Sequence, residues 1–193
     1  MADENRFSFD GEWLAFTSGQ TVMQAAAAVG HYIPHLCFDP DFPPHGSCKL
    51  CSIKANGRYT SACFEPVVPG MVVESETDEL RALRRRIVQM LFAEGNHCCP
   101  FCEKSGNCQL QAVAYYLGMM NTHYPHLYPR RQLDASHPQA VIDHDRCILC
   151  ELCVRASREI DHKSLFSVAG RGGAAHLVVN SESACLGDTH FAA

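Results

Sequence analysis

Residues 37–63 read CFDPDFPPHGSCKLCSIKANGRYTSAC, a C-x10-C-x2-C-x11-C array made by Cys37, Cys48, Cys51 and Cys63. A C-x2-C step lets the N–H groups of one turn face the sulfurs they help to stabilise, and Cys37 and Cys63 approach the Cys48–Cys51 pair from either side. Four thiolates suit a 2Fe-2S rhombus, although the first gap is longer than the C-x4-C of plant-type ferredoxins. A four-cysteine zinc site would use the same ligands, but zinc knuckles usually pair two C-x2-C steps and this array has one. Within the stretch, Asn56-Gly57 supplies two positive-φ residues and predicts a tight hairpin joining Ser52–Ala55 to Arg58–Thr60.

Upstream, Phe7–Phe9, a turn at Asp10-Gly11 and Trp13–Phe16 predict another hairpin. Thr21 is placed to cap a helix from Val22 to Val29 that Gly30 ends. Val72 and Val73 add a last strand, so residues 1–76 read as a small mixed sheet gripping one helix. From Thr77 the period changes. Leu80, Leu83, Ile87, Met90 and Leu91 share one face of a helix that Gly95 terminates. Arg81, Arg84, Arg85 and Arg86 fall mostly off that stripe and read as a solvated face, with a partner-docking patch as the sharper alternative. Gln109–Met119 predicts a further helix, and 121–137, with Pro125 and Pro129, a poorly periodic connector that runs on to Pro138.

Two more cysteine groups lie downstream. Cys99, Cys102 and Cys108 form C-x2-C-x5-C, with His97 and Cys98 as rivals for a fourth position. One neutral imidazole among three thiolates leaves a cluster with less negative charge and raises its potential, as the two histidines of a Rieske centre do. A free, buried thiol is the plain alternative for Cys98. The third group, Cys147, Cys150 and Cys153, is a C-x2-C-x2-C run at the head of an expected helix through Ile160, where exposed N–H groups favour an anionic 4Fe-4S cubane. Cys185 follows much later with no proline after it. His31, His35, His45, His123 and His126 have no ligand spacing and read as surface or hydrogen-bonding residues.

The 193-residue chain has 12 cysteines in these separated groups and carries a formal charge of −5 with pI near 6.1. That charge offers no basic face for nucleic acid. The start, MADENRFSFDGEW, lacks the basic and apolar order of a secretory signal, and no stretch approaches a membrane span. A cytoplasmic chain is expected, and in a reducing compartment cysteine at this density points to metal ligation rather than disulfides. No G-x-G-x-x-G fingerprint opens a helix; Gly170-Arg171-Gly172-Gly173 is a weak match, so flavin and NAD are expected on another subunit.

The run GNHCCPFCEKSGNCQLQAVAYYLG, residues 95–118, together with DRCILCELCVRASRE, residues 145–159, resembles the small diaphorase subunit of NAD-reducing, bidirectional nickel-iron hydrogenases. That family is similar to the amino-terminal part of the large iron-sulfur subunit of complex I and to iron-only hydrogenases. The likeness covers roughly residues 5–175. It implies an α+β chain in three parts: a β-grasp 2Fe-2S ferredoxin-like domain (1–76), a helical 4Fe-4S segment with connector (77–139), and a 4Fe-4S ferredoxin-like segment (140–193). Carried over, Cys37, Cys48, Cys51 and Cys63 would hold the 2Fe-2S cluster, and His97, Cys99, Cys102 and Cys108 a 4Fe-4S cluster. Complex I places its histidine where this chain has Gly95; His97 is the nearest substitute, with Cys98 as the alternative. Cys147, Cys150 and Cys153 would hold a second 4Fe-4S cluster. Relatives usually continue to a cysteine- and proline-bearing segment that closes it; here its fourth ligand is Cys185, a ligand outside this sequence, or the cluster is missing.

The resemblance implies a relay between nickel-iron hydrogenase subunits and a flavin- and NAD-binding diaphorase large subunit, with no substrate-conversion site on this chain. A formate dehydrogenase or complex I assembly would use an equivalent relay. A zinc-stapled adaptor is the non-redox rival.

Overall fold

Two two-residue turns lay down the amino-terminal sheet. Asp10 and Gly11 (φ 48° and 88°) join β1 (Arg6–Phe9) to β2 (Glu12–Ala15), and Asn56 and Gly57 (φ 50° and 77°) join β3 (Ser52–Ala55) to β4 (Arg58–Ser61). Positive φ at both positions gives the turn the twist of its flanking strands. β5 (Val72–Glu74) lies between the hairpins, parallel to β1 and antiparallel to β3, giving the order β2-β1-β5-β3-β4. The computed structural model describes residues 5–191, and the fold is α+β.

α1 (Val22–Ala28) covers this sheet, burying Val22, Met23, Ala25 and Ala26 against Phe7, Ile53 and Val73. Its start is a full capping box: Thr21 Oγ1 accepts from Gln24 N–H at 3.3 Å, and Gln24 Oε1 accepts from Thr21 N–H at 3.0 Å. Thr21→Ala should therefore cost about 1 kcal/mol of stability. Denaturant unfolding of the cluster-loaded chain checks this; no shift in midpoint would show that the box contributes nothing.

α2 (Asp78–Glu94) begins where Thr77 Oγ1 accepts from Leu80 N–H at 3.2 Å. Its burial differs from the expected stripe. Leu80, Arg84 and Val88, four apart, are all fully buried, while Met90 is exposed. Arg84 therefore does not belong to a solvated face, because every N–H of its guanidinium finds an acceptor inside the fold. α3 (Gln109–Tyr116) is shorter than expected. It ends at Leu117 and Gly118, whose φ of 69° stops it, and Arg85 Nε donates to the Leu117 carbonyl at 3.1 Å.

The chain divides into two compact units. One comprises the chain up to Gln89 with Gly106–Asn121; the other comprises Met90–Ser105 with the chain from Thr122 onward. In the second unit, β6 (Leu133–His137) and β7 (Ala140–Asp143) form a hairpin, part of which lies in the expected connector. Pro138 sits in its turn, where no ladder N–H is needed. α4 (Leu152–Arg155) runs into a π-helical turn, Ala156–Ile160. β8 (Phe166–Ala169) and β9 (His176–Val179) make a further hairpin with Gly170–Gly173 in its connection. Val154, Leu165, Phe166, Leu177, Val179 and Leu186 form this unit's core. Among the described residues, no helix is long and apolar enough to cross a membrane.

Candidate metal centres

Cys37 lies on the loop after α1, Cys48 and Cys51 lie just before β3, and Cys63 follows β4. The hairpin itself brings the last two together. Ala62 N–H donates to the Cys51 carbonyl at 2.9 Å, and the Cys51 and Cys63 sulfurs lie 3.5 Å apart. On the other side, Cys48 N–H donates to Cys37 Sγ at 3.5 Å. The four thiols are thus two pairs, Cys37 with Cys48 and Cys51 with Cys63. The Cys48 thiol and the N–H groups of Ser47 and Cys48 hold the Cys37 thiol down to about 4, while the same thiol pairing and burial push Cys48 up. The Cys63 thiol brings Cys51 down to about 7, and Cys63 rises in turn. The loop therefore offers N–H donors to a thiolate inside an otherwise buried setting.

Gly46, at φ 69°, is what lets this loop close. A Cβ there would stand 2.6 Å from Phe64 Cε2. Among the described residues, no three His, Cys, Asp or Glu side chains are grouped to hold a single metal ion. Four thiols in this arrangement would suit a 2Fe-2S cluster.

His97 Nε2 is buried without a hydrogen-bond partner, and burial holds the ring below its ordinary pKa, which favours the neutral imidazole. Phe92 meets the ring edge-on at 5.4 Å. Gly95 packs closely against it: a Cβ at position 95 would collide with His97 Nε2 and would lie 2.8 Å from Cδ2 and 2.9 Å from the Asp145 carbonyl oxygen. The intervening Asn96 is clamped, its N–H donating to the Asp145 carbonyl at 2.9 Å and its amide to Asp145 Oδ2 at 3.0 Å and the Pro129 carbonyl at 2.6 Å. An unpaired buried nitrogen costs about 1–3 kcal/mol, which a metal bond would offset.

Cys99 opens a short 3-10 turn, Cys99–Phe101, that Cys102 closes, while Cys98 is exposed at its N-cap. Arg146 Nη1 approaches Cys102 Sγ at 3.5 Å and pairs with Glu103 at 2.7 Å. Cys108 belongs to the other unit, where it is the N-cap residue of α3.

In the third group, Leu149 and Glu151 both take left-handed φ, 51° and 58°. Burial first, then the nearby Cys150 and Cys147, push the Cys153 thiol up to about 11. Cys185 sits in a separate turn, where its N–H donates to Ser181 Oγ at 3.1 Å and its sulfur lies 2.7 Å from Ser183 Oγ. Sequence reasoning missed Arg84, Gly95, Asp145 and Arg146. For Arg84 a signal existed, its four-residue offset from both Leu80 and Val88.

Residues 2–78 match the family model described as 2Fe-2S iron-sulfur cluster binding domain, and 84–123 that of the NADH-ubiquinone oxidoreductase-G iron-sulfur binding region. The NAD-reducing hydrogenase HoxS subunit gamma of Cupriavidus necator is 41% identical over 93% of this chain and 77% of its own length. The NADPH-Fe(3+) oxidoreductase subunit alpha of Geobacter sulfurreducens is 32% identical over 86% of this chain but 20% of its own. A crystal structure of NAD+-reducing [NiFe]-hydrogenase in the H2-reduced state contains a chain that superposes with a TM-score of 0.94 at 50% identity, covering 97% of this chain and 80% of that one.

Proposed function

This chain belongs to the family of NAD-reducing hydrogenase gamma subunits, and from that membership we propose that it carries electrons between a nickel-iron hydrogenase module and a flavin- and NAD-binding diaphorase subunit. It is an iron-sulfur electron-relay subunit of an oxidoreductase. The observation that carries the ligand assignment is the pairing of Cys37 with Cys48 and of Cys51 with Cys63.

Cys37, Cys48, Cys51 and Cys63 would hold a 2Fe-2S cluster, and His97, Cys99, Cys102 and Cys108 a 4Fe-4S cluster. The buried, unpaired Nε2 favours His97 as the fourth ligand there over the exposed Cys98. Cys147, Cys150 and Cys153 would hold three corners of a second 4Fe-4S cluster, with Cys185 outside the set. Such groups supply reversible one-electron exchange when bound. The protein's own part is to orient the sulfurs, aim N–H groups at them, exclude water and set the local charge. This division by ligand sets gives segments 1–76, 77–139 and 140–193. Free thiols at this density fit a cytoplasmic setting.

Purifying the native assembly anaerobically tests the reading by identifying the co-purifying subunits and counting iron and acid-labile sulfide per chain. Iron with matching sulfide, beside hydrogenase and flavoprotein subunits, supports it. Colourless protein holding zinc and no sulfide overturns it, and a formate dehydrogenase or complex I partner would redirect it. In the same preparation, His97→Cys should lower the midpoint of the histidine-ligated centre, because an anionic thiolate replaces a neutral ring. Redox-titrated EPR checks this, and an unchanged or higher midpoint counts against His97.

A further inference from the structure

Arg84 is the largest fully buried side chain among the described residues. Its Nε donates to the Leu50 carbonyl at 3.0 Å and Nη2 to the Ser52 carbonyl at 2.9 Å, the two residues on either side of Cys51. Nη1 donates to the Ser75 carbonyl at 2.8 Å and Glu76 Oε1 at 3.1 Å, and Nη2 also reaches Ser75 Oγ at 3.0 Å. Five donors meet five acceptors, four of them neutral. Glu76 is the one carboxylate in the set, and its side chain is 33% exposed. A buried guanidinium is expensive unless opposite charge is near, and an apolar residue at that place on the helix would pack at lower cost.

We propose that Arg84 is a positioning residue for the 2Fe-2S site: it fixes Cys51 by gripping the carbonyls before and after it, and its charge raises the reduction potential of the centre those thiolates hold. The inference rests on the ligand assignment above. Adding an electron makes a thiolate-bound centre more negative, so a fixed cation beside it favours the reduced form, and removing the cation favours the oxidised form. Glu76 opposes Arg84, so neutralising it acts in the opposite direction. A mere staple between helix and loop would leave the potential where it is.

The test is EPR-monitored redox titration of the 2Fe-2S signal in the intact complex, with iron and sulfide counted in each sample. Arg84→Gln should lower the reduced-to-oxidised ratio at fixed potential about tenfold, a downward shift of ~59 mV for a one-electron couple. Arg84→Lys keeps the charge and should stay within about threefold of the parent, less than half that shift. Glu76→Gln, which keeps an oxygen acceptor of the same shape beside Arg84 Nη1, should move the titration upward. A loaded Arg84→Gln chain whose titration overlays the parent's overturns the proposal. Should Arg84→Gln fail to fold, Glu76→Gln decides: an upward shift supports the proposal, and no shift or a downward one overturns it. A parent complex without any 2Fe-2S signal overturns the ligand assignment itself, a distinguishable result.

Discussion

Gly95→Ala is expected to empty the site proposed at His97, Cys99, Cys102 and Cys108 while leaving the 2Fe-2S signal in place. The added methyl has nowhere to go. It would collide with His97 Nε2, the nitrogen proposed as ligand, and press within 2.9 Å of the Asp145 carbonyl oxygen, which holds the next residue in line. Backbone cannot yield cheaply here because Asn96 is tied three times to Asp145 and Pro129. The ring must therefore give up its place. Overpacking of this kind costs about 1–3 kcal/mol, but the larger effect is on metal content, a fall of about four irons per chain with matching sulfide. Iron analysis and low-temperature EPR measure it. Full iron with an unaltered 4Fe-4S spectrum would show that His97 stands elsewhere than in the ligand set.

Cys63→Ala should abolish the 2Fe-2S centre outright. The residue is fully buried, sits 3.5 Å from the Cys51 sulfur, and follows the residue whose N–H closes on the Cys51 carbonyl. No other cysteine of the array is free to replace it, since Cys37 and Cys48 pair with each other. About two irons should be lost. The domain should also lose stability, because affinity for a bound group is folding free energy when its ligands come from separate stretches. Loss of the 2Fe-2S EPR signal and a lower melting temperature than the loaded parent are the readouts. Retention of the signal at full intensity would mean that the fourth ligand is another residue.

How much of this was legible beforehand depended on the range of the interaction. Asn56-Gly57 and Asp10-Gly11 announced their hairpins because a two-residue turn needs positive φ at both positions, a local requirement. Thr21, read as the cap ahead of Val22, announced α1 in the same way. β6–β7 and β8–β9 were not announced: their strands are four or five residues long, and Pro138 and the glycines at 170–173 read as breakers when they are turn residues of hairpins. The stripe on α2 was rotated because hydrophobicity alone assigned Arg84 to water. Its acceptors, the carbonyls of residues 50, 52 and 75, are remote in sequence and invisible to a periodicity argument.

By itself the sequence determined the family and the grouping of the candidate ligand residues along the chain, since metal chemistry requires particular atoms at short, countable spacings. Tertiary structure alone decided which thiols pair with which, that His97 rather than Cys98 turns a bare nitrogen inward, that Cys185 faces serines, and that a guanidinium lies beneath Cys51. The reason is that burial and hydrogen-bond satisfaction are set by chain segments tens of residues apart, and their meeting leaves no mark in the spacing of any one of them.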